Sequence, residues 1–279
     1  MLVTLQEIIG SAKSGGFCIP AFNVYNVETI IGVINAAEQE KAPVIMQVYP
    51  RLVNEQVGYY IAPVVLAAAK RASVPVCFHL DHGPSESEVI KMLRFGASGI
   101  MIDGSTHSFE DNISLTKSVV DICKNVGVGV EGELGHIGSV NDDSMEEFTD
   151  PKQAAEFVEK TGVTCLAVLI GNAHGHYKKE PKLDIERVKE ISKATNNTPL
   201  VLHGGSGIPD EQVKAAIKAG ICKMNIGTDV CCAFANGALS ELNNKNRSIA
   251  VDLFMKPSIE AVKDLAVSKI RLCGADGKA

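Results

Sequence analysis

Short apolar runs alternate with amphipathic segments along almost the whole chain. The runs are short and many are rich in β-branched residues, which favours strands over helices. They cover residues 17–23, 43–48, 74–78, 99–104, 126–134, 164–171, 199–202 and 221–226. Between them, apolar residues recur on one helical face, as at Phe109, Ile113 and Val120. This alternation indicates a parallel sheet with both faces covered by helices.

The signals at helix ends support the same assignment. Ser108 and Asp111 form a capping pair, Pro151 follows Asp150 at a first helical position, and Gly220 marks a helix end. Further helices are expected at residues 4–14, 28–40, 54–71, 85–95, 184–194 and 253–272, and from residue 230. Strand-helix units that repeat eight times in 279 residues predict an α/β fold, a (β/α)8 TIM barrel forming a single domain over residues 1–279.

The composition and charge limit the cellular compartments and the binding partners to be expected for this chain. A formal net charge of -6 argues against nucleic acid or an anionic membrane as a partner. The longest apolar run, residues 61–69, is too short to span a bilayer, and residues 1–16 lack the segments of a signal peptide. The 8 cysteines show no Cys-x-x-Cys spacing, which suits free thiols in a reducing compartment. These features predict a cytoplasmic protein with neither a membrane nor a nucleic-acid partner.

Polar residues collect where the predicted strands end. Those at or just after a strand's carboxyl end are Asn23, Asp81, Asp103, Glu133, His174, His203 and Asn225. In TIM barrels the active site is built at that end of the strands. We therefore expect these side chains to meet in one site.

Three histidines at or beside these strand ends point to a metal. His82, His174 and His203 each follow a different apolar run. A catalytic zinc site needs three protein ligands and one open position, and Asp81 beside the metal would transfer protons. One histidine at a strand end is ordinarily a hydrogen-bonded structural residue, but three with a carboxylate alongside favour metal. His79, two positions before Asp81, is interpreted as a core histidine that holds neighbouring groups.

Seven motifs carry a resemblance to a known family. They are Pro20-Ala21-Phe22-Asn23, His79-Leu80-Asp81-His82-Gly83, Met101-Ile102-Asp103-Gly104-Ser105, Val130-Glu131-Gly132-Glu133-Leu134-Gly135, residues 171–175, residues 203–207 and Lys223-Met224-Asn225-Ile226-Gly227-Thr228. In this order they resemble the class II, zinc-dependent ketose-bisphosphate aldolases, which include fructose- and tagatose-bisphosphate aldolases. The resemblance covers nearly the whole chain.

The resemblance implies roles for particular residues. It makes His82, His174 and His203 the Zn²⁺ ligands and Asp81 the catalytic acid-base group. Asp103 and Glu133 match a second metal position, although both could instead hydrogen-bond the ligating histidines. The residues that match substrate and phosphate contacts are Asn23, Gly175, Gly204, Gly205, Ser206, Asn225, Ile226, Gly227 and Thr228.

The family also implies an activity and further partners. The substrate would be a phosphorylated sugar of the fructose- or tagatose-1,6-bisphosphate type, cleaved to dihydroxyacetone phosphate and an aldehyde such as glyceraldehyde 3-phosphate. A monovalent cation, Na⁺ or K⁺, would bind backbone carbonyls around Ala173, Gly175 and Gly204. The expected assembly is a homodimer or homotetramer.

Three positions depart from the family pattern. The loop at residues 135–149 is expected to form a lid, and there the family usually has a glutamate that moves the proton at the ketone-derived carbon. Asn141 stands at that position and cannot act as a base, although Asp142 or Asp143 could replace it. Tyr49 stands where a small hydroxyl residue is usual, and Gly227 where many fructose-bisphosphate enzymes have aspartate.

These departures keep alternatives open. The chain could be a class II aldolase for a different ketose phosphate or a modified sugar. It could also be an inactive aldolase-like partner subunit, although the three histidines and Asp81 are retained. Metal-dependent barrel hydrolases are disfavoured, because they place a His-x-His pair at the first strand, which here ends in Asn23.

Overall fold

Eight parallel strands close into a barrel in sequence order, with β8 paired to β1. The structure is a computed structural model and describes residues 1–140, 148–175, 177 and 180–279. The strands are β1 (Ile19–Asn23), β2 (Val44–Val48), β3 (Val76–Gly83), β4 (Gly99–Ile102), β5 (Gly129–Leu134), β6 (Cys165–Val168), β7 (Leu200–Leu202) and β8 (Ile221–Ile226). The predicted (β/α)8 barrel is confirmed.

Helices surround this barrel between the strands. They are α1 (Leu5–Gly15), α2 (Val27–Glu40), α3 (Pro50–Val53), α4 (Gln56–Arg71), α5 (Glu86–Arg94), α6 (Phe109–Lys124), α7 (Pro151–Thr161), α8 (Ile185–Ala194), α9 (Asp210–Ala219), α10 (Thr228–Asn243), α11 (Val251–Phe254) and α12 (Lys256–Leu272). No described helix has both the length and the apolar character needed to cross a membrane. The predicted capping residue Ser108 accepts a hydrogen bond from the amide of Asp111, and Asp150 caps α7.

The amino end of the barrel is closed by α1. Thr4 forms a capping box with Glu7, and the amide of Leu5 donates to the carbonyl of Ser98 at 2.9 Å. Leu5, Ile8 and Ile9 are buried against the strands. This end is apolar and sealed, which leaves the carboxyl end as the open end of the barrel.

Some strands are shorter than the apolar runs that predicted them. β6 ends at Val168, not at residue 171, because side chains replace the neighbouring strand as hydrogen-bond partners. The amide of Leu169 donates to Thr149 Oγ1, and that of Ile170 to Asn172 Oδ1, both at 2.8 Å. The chain therefore stays buried after it has left the ladder.

A bulge near the end of β3 shapes the site. The pairing of β3 with β4 shifts register between Leu80 and Gly83, and His82 has a φ of 48°. Adjacent side chains of a regular strand point to opposite faces, so a regular β3 could not present both Asp81 and His82 to the interior. The bulge turns both side chains into the same cavity.

Candidate active site

A cavity of about 650 Å³ opens at the carboxyl end of the barrel. The predicted site residues that line it are Asn23, Asp81, His82, Asp103, His174, Gly175, Gly204, Ser206, Asn225, Gly227 and Thr228. Four others, Glu133, His203, Gly205 and Ile226, are buried just behind that lining. The fold thus brings the residues singled out from the sequence into one region.

The rings of the three histidines form a compact cluster. Their centroids lie 5.0 Å apart for His82 and His174, 4.8 Å for His82 and His203, and 5.6 Å for His174 and His203. One potential ligand atom from each lies within 4.8 Å of those of the other two. Three side chains from β3, the segment after β6 and the segment after β7 could therefore share one metal ion.

Hydrogen bonds hold one nitrogen of each ring and leave the other for a ligand. His174 Nδ1 donates to the carbonyl oxygen of Ile137 at 2.8 Å. His82 Nδ1 lies 2.7 Å from Asp103 Oδ2, and His203 Nε2 lies 2.8 Å from Glu131 Oε1. Second partners of this kind fix the orientation of metal-binding histidines.

Several carboxylates crowd around the His82 ring. His82, Asp103 and Glu133 form a second group that could hold a metal ion. Burial disfavours a charge on the His82 ring, but the carboxylates of Asp81 and Asp103 outweigh it and raise the pKa of His82 to about 10. Burial, together with the nearby charge of Asp103, raises the pKa of Glu133 to about 8.

The electrostatic setting of the other two rings is different. Burial lowers the pKa of His174 to about 4, with the charge of His82 acting in the same direction. Burial also lowers the pKa of His203 well below its ordinary value. Both imidazoles are therefore neutral at pH 7, which is the form that binds a metal.

Two buried atoms next to the histidines test whether a metal fits. His203 Nδ1 and Glu133 Oε2 lie 3.6 Å apart, and neither has a hydrogen-bond partner among the described residues. Unpaired buried polar atoms are costly unless a ligand compensates them. A divalent cation would contact both atoms, and imidazole with carboxylate is a donor set that zinc accepts. The residues present fit a metal ion.

Asp81 is held by two amides. Its Oδ2 accepts a hydrogen bond from Asn23 Nδ2 at 2.8 Å, and its Oδ1 accepts one from Asn225 Nδ2 at 3.0 Å. Its Oδ1 also lies 4.0 Å from His82 Nε2. The carboxylate is thus oriented toward the histidine cluster on the cavity wall.

Directly after His203 in the chain, glycines bring backbone close to the cavity. Gly204 has a φ of 61°, and a Cβ there would lie 2.0 Å from the carbonyl oxygen of Ala173. A Cβ on Gly205 would lie 2.8 Å from the carbonyl oxygen of Asn225. Next to them α10 begins at Thr228, so its first amides face the cavity. Backbone of this kind suits an anion such as phosphate.

Loops complete the rim of the cavity. Tyr49 and Arg51 reach it from the segment after β2, which forms the short helix α3 that was not predicted. The Tyr49 ring lies edge-on to His82 with 6.4 Å between centroids. His136 Nδ1 lies 3.0 Å from Ser105 Oγ. Asn141, Asp142 and Asp143, predicted to belong to the lid, lie outside the described residues.

Sequence analysis missed the polar residues below the cavity. Glu131 and Lys223 are fully buried and lie 2.8 Å apart, and Gln47 Nε2 donates to Asn23 Oδ1 at 3.0 Å. For Glu131 and Lys223, the available signal was a charged residue inside a predicted strand, two positions before a predicted site residue.

The comparisons with known proteins identify one family. The family model for class II fructose-bisphosphate aldolases matches residues 3–278. The chain is 37% identical to the probable fructose-bisphosphate aldolase of Bacillus subtilis, with 100% of this chain and 99% of that protein covered.

The chain is also similar to solved structures of aldolases over nearly its full length. The YdjI aldolase from Escherichia coli is 39% identical, has a TM-score of 0.90, and is covered over 100% of both chains. A fructose-1,6-biphosphate aldolase candidate from Coccidioides immitis is 28% identical with a TM-score of 0.88, over 99% of this chain and 97% of that one.

Proposed function

Since the chain belongs to the class II fructose-bisphosphate aldolase family, we propose that it is a zinc-dependent aldolase that reversibly cleaves a phosphorylated ketose. The products are dihydroxyacetone phosphate and an aldehyde such as glyceraldehyde 3-phosphate, and the substrate is of the fructose- or tagatose-1,6-bisphosphate type. The observation that carries the proposal is the cluster of three histidine rings beside Asp81 at one cavity, which His82, His174 and Asp81 line.

Asp81 is assigned the proton of the C4 hydroxyl. It takes this proton when the bond between C3 and C4 breaks and returns it to the aldehyde in the condensation direction. The amides of Asn23 and Asn225 occupy one lone pair on each of its oxygens and fix its orientation. Each oxygen has a further lone pair with which to meet the substrate.

His82, His174 and His203 would hold the zinc ion. When bound, zinc supplies Lewis acidity for the negative charge that develops on the three-carbon fragment. Asp103 orients the His82 ring through the 2.7 Å contact with its Nδ1. Asp103 and Glu133 are assigned either this supporting role or a second metal position.

The phosphate of the three-carbon fragment is assigned to the backbone that follows the histidines after β6 and β7 and to the start of α10. Gly175, Gly204, Gly205 and Ser206 lie on one side, and Asn225, Ile226, Gly227 and Thr228 on the other. The Ser206 hydroxyl already accepts from the amide of Asp229 at 3.1 Å, so it ties the two segments together. Holding phosphate there would place the ketone carbons next to Asp81 and the histidines.

Three further parts of the proposal rest on the family resemblance. A Na⁺ or K⁺ ion would bind near the carbonyls of Ala173, Gly175 and Gly204. The protein would act in the cytoplasm, and its assembly would be a homodimer or homotetramer.

A different ketose phosphate or modified sugar is the second candidate substrate. It is favoured by Tyr49, an aromatic residue at the rim in place of the small hydroxyl residue usual in the family. The change lies outside the histidine cluster and Asp81. It would therefore alter which sugar binds and leave the type of reaction the same.

The direct test is a panel assay with metal analysis on the same sample. Fructose 1,6-bisphosphate, tagatose 1,6-bisphosphate and fructose 1-phosphate are compared as substrates, each before and after chelator treatment. We expect one of them to yield dihydroxyacetone phosphate, with loss of activity after chelation and recovery with zinc. Borohydride added with substrate should trap no lysine adduct, and a trapped adduct would contradict the metal mechanism.

A further inference from the structure

A layer of buried polar side chains lies below the candidate site, inside the barrel. It consists of His79, Glu131 and Lys223, which precede Asp81, Glu133 and Asn225 by two positions on β3, β5 and β8. Side chains two apart on a strand face the same side, so these residues form the adjacent layer of the barrel interior. All three are fully buried, and none of them lines the cavity. They act on the site through its residues and do not touch the substrate.

Lys223 determines which way the Asn225 amide points. Its Nζ donates to Asn225 Oδ1 at 2.6 Å. An ammonium group has only donors, so Asn225 must turn its oxygen toward Lys223 and its NH₂ group toward Asp81. The distance from Asn225 Nδ2 to Asp81 Oδ1 is 3.0 Å. Without the ammonium, the opposite amide orientation would present an oxygen to the Asp81 carboxylate.

Glu131 determines which nitrogen of His203 carries the proton. Its Oε1 lies 2.8 Å from His203 Nε2, and its Oε2 lies 2.8 Å from Lys223 Nζ. A carboxylate accepts, so His203 Nε2 carries the hydrogen and Nδ1 keeps a lone pair. Nδ1 is the atom that faces Glu133 in the histidine cluster. Only that tautomer can bind a metal through Nδ1.

We infer that Glu131 and Lys223 are a positioning pair that sets the tautomer of His203 and the amide orientation of Asn225 together. One buried ion pair thereby connects the proposed metal ligand with the proposed base, Asp81. The inference rests on the proposed zinc site but not on the identity of the sugar.

Two other roles for the pair are less consistent with these contacts. Lys223 is not placed as a Schiff-base lysine, because its amine is fully buried and engaged with two acceptors. Burial opposes its charge, but Glu131 outweighs burial and raises the pKa of Lys223, so the amine stays protonated. A purely stabilising role is also a weak explanation, since buried ion pairs are often replaceable by neutral groups without loss of stability.

Glu131→Gln separates positioning from simple burial. The side chain of glutamine has one acceptor, and Lys223 would hold it, so the NH₂ group would turn toward His203 Nε2. His203 would then accept at Nε2 and carry its proton on Nδ1, the atom that faces the metal. Supporting residues of this kind typically change metal affinity by ~10- to 100-fold, and we expect a loss in that range for zinc.

The double variant Glu131→Gln/Lys223→Met provides the decisive comparison. With no ammonium present, the glutamine oxygen can turn to His203 and restore the metal-binding tautomer. Zinc affinity should therefore recover relative to Glu131→Gln, although more of the core has changed. Lys223→Met alone should keep zinc affinity and lower kcat, because Asn225 is then free to turn its amide.

Zinc affinity is measured by competition with a chromophoric chelator. The visible spectrum of the Co²⁺ form reports which atoms bind the metal, and thermal unfolding shows whether each variant is folded. Recovery of affinity in the folded double variant supports the inference. The inference is overturned if Glu131→Gln binds zinc as tightly as the wild type, or if the double variant binds zinc no more tightly than Glu131→Gln. The zinc proposal stands in either case. If the wild-type protein and His203→Ala bind zinc equally poorly, the proposed function and the inference both fail.

Discussion

The wall and the rim of the cavity are built in different ways. The wall consists of side chains at strand ends that line the cavity or lie just behind its lining, such as Asp81 and His203. These side chains are buried and held by hydrogen bonds to other buried groups. The rim comes from loops, and Tyr49 and Arg51 on it are exposed. The histidines and Asp81 of the wall are the residues to which the proposal assigns the metal and the proton, whereas Tyr49 on the rim is one of the departures noted in the sequence. We therefore expect changes in the wall to affect the reaction itself and changes in the rim to affect which substrate binds.

The largest effect should come from removing a histidine of the wall. His82→Ala, His174→Ala and His203→Ala should each lower bound zinc and abolish cleavage, because two ligands provide neither the affinity nor the geometry of three. Metal content and aldol cleavage are measured on the same preparations. His136→Ala is the matched control, since His136 lines the cavity from a loop and should leave zinc content unchanged. Full zinc and normal turnover in any wall variant would remove that histidine from the site.

Asp81→Asn should have the next largest effect. The substitution keeps the shape of the side chain but removes the proton acceptor, so zinc should remain bound while cleavage falls. General acid-base groups supply ~100- to 10,000-fold in rate, and the loss should lie in that range. Proton exchange on dihydroxyacetone phosphate should survive, because that step is assigned to another group. A loss of only a few-fold in cleavage would make Asp81 a structural residue.

Arg51→Gln tests the rim. Of the described residues that line the cavity, Arg51 is the only lysine or arginine, so we expect it to contact an anionic group at the far end of the substrate. Losing one charge-assisted hydrogen bond should raise KM about tenfold for a bisphosphate. KM for fructose 1-phosphate, which lacks that group, should not change, nor should either value in the control Arg71→Gln at the end of α4. An equal rise for both sugars would exclude a contact specific to the far end.

The smallest effect is expected at Asn141, which lies between β5 and α7 in the sequence. An amide cannot accept a proton from carbon, so Asn141→Glu should raise solvent-deuterium incorporation into dihydroxyacetone phosphate. Asp142→Asn or Asp143→Asn should lower it if one of these acids has taken over the step, although a shifted position costs geometry. Unchanged exchange in all three variants, with a higher KM for the sugar in Asn141→Glu, would instead assign Asn141 to substrate binding.

The sequence predicts the barrel well because its signals are local. Apolar runs and caps such as Ser108 mark each element without knowledge of its neighbours. The short helix α3 was missed, since it begins only one residue after β2 ends and its four residues gave no separate helical period. β5 begins at Gly129, later than the apolar run that starts at residue 126. Boundaries depend on partners in the sheet, which the pattern does not specify.

The contacts within the site could not be predicted either, because they join residues that are far apart in the sequence. The histidines could be singled out because each follows an apolar run, but the bulge at His82 depends on how β3 pairs with β4. Glu131 and Lys223 are 92 residues apart in the sequence (223 minus 131) and meet only when the barrel closes. Periodicity identifies an inward-facing position but not the side chain it will contact.

The crowded carboxylates around His82 also determine how many protons the site stores. With pKa values of about 10 for His82 and about 8 for Glu133, both groups carry a proton at pH 7 in protein stripped of metal by a chelator. Metal ligands bind in their deprotonated forms, so loading zinc at pH 7 should release these protons to the buffer. The apparent affinity should rise as pH increases through 8 and continue to rise toward 10. Calorimetric titrations in buffers of different ionisation heat would count the released protons. Each zinc ion that binds would thus acidify the surrounding solution slightly.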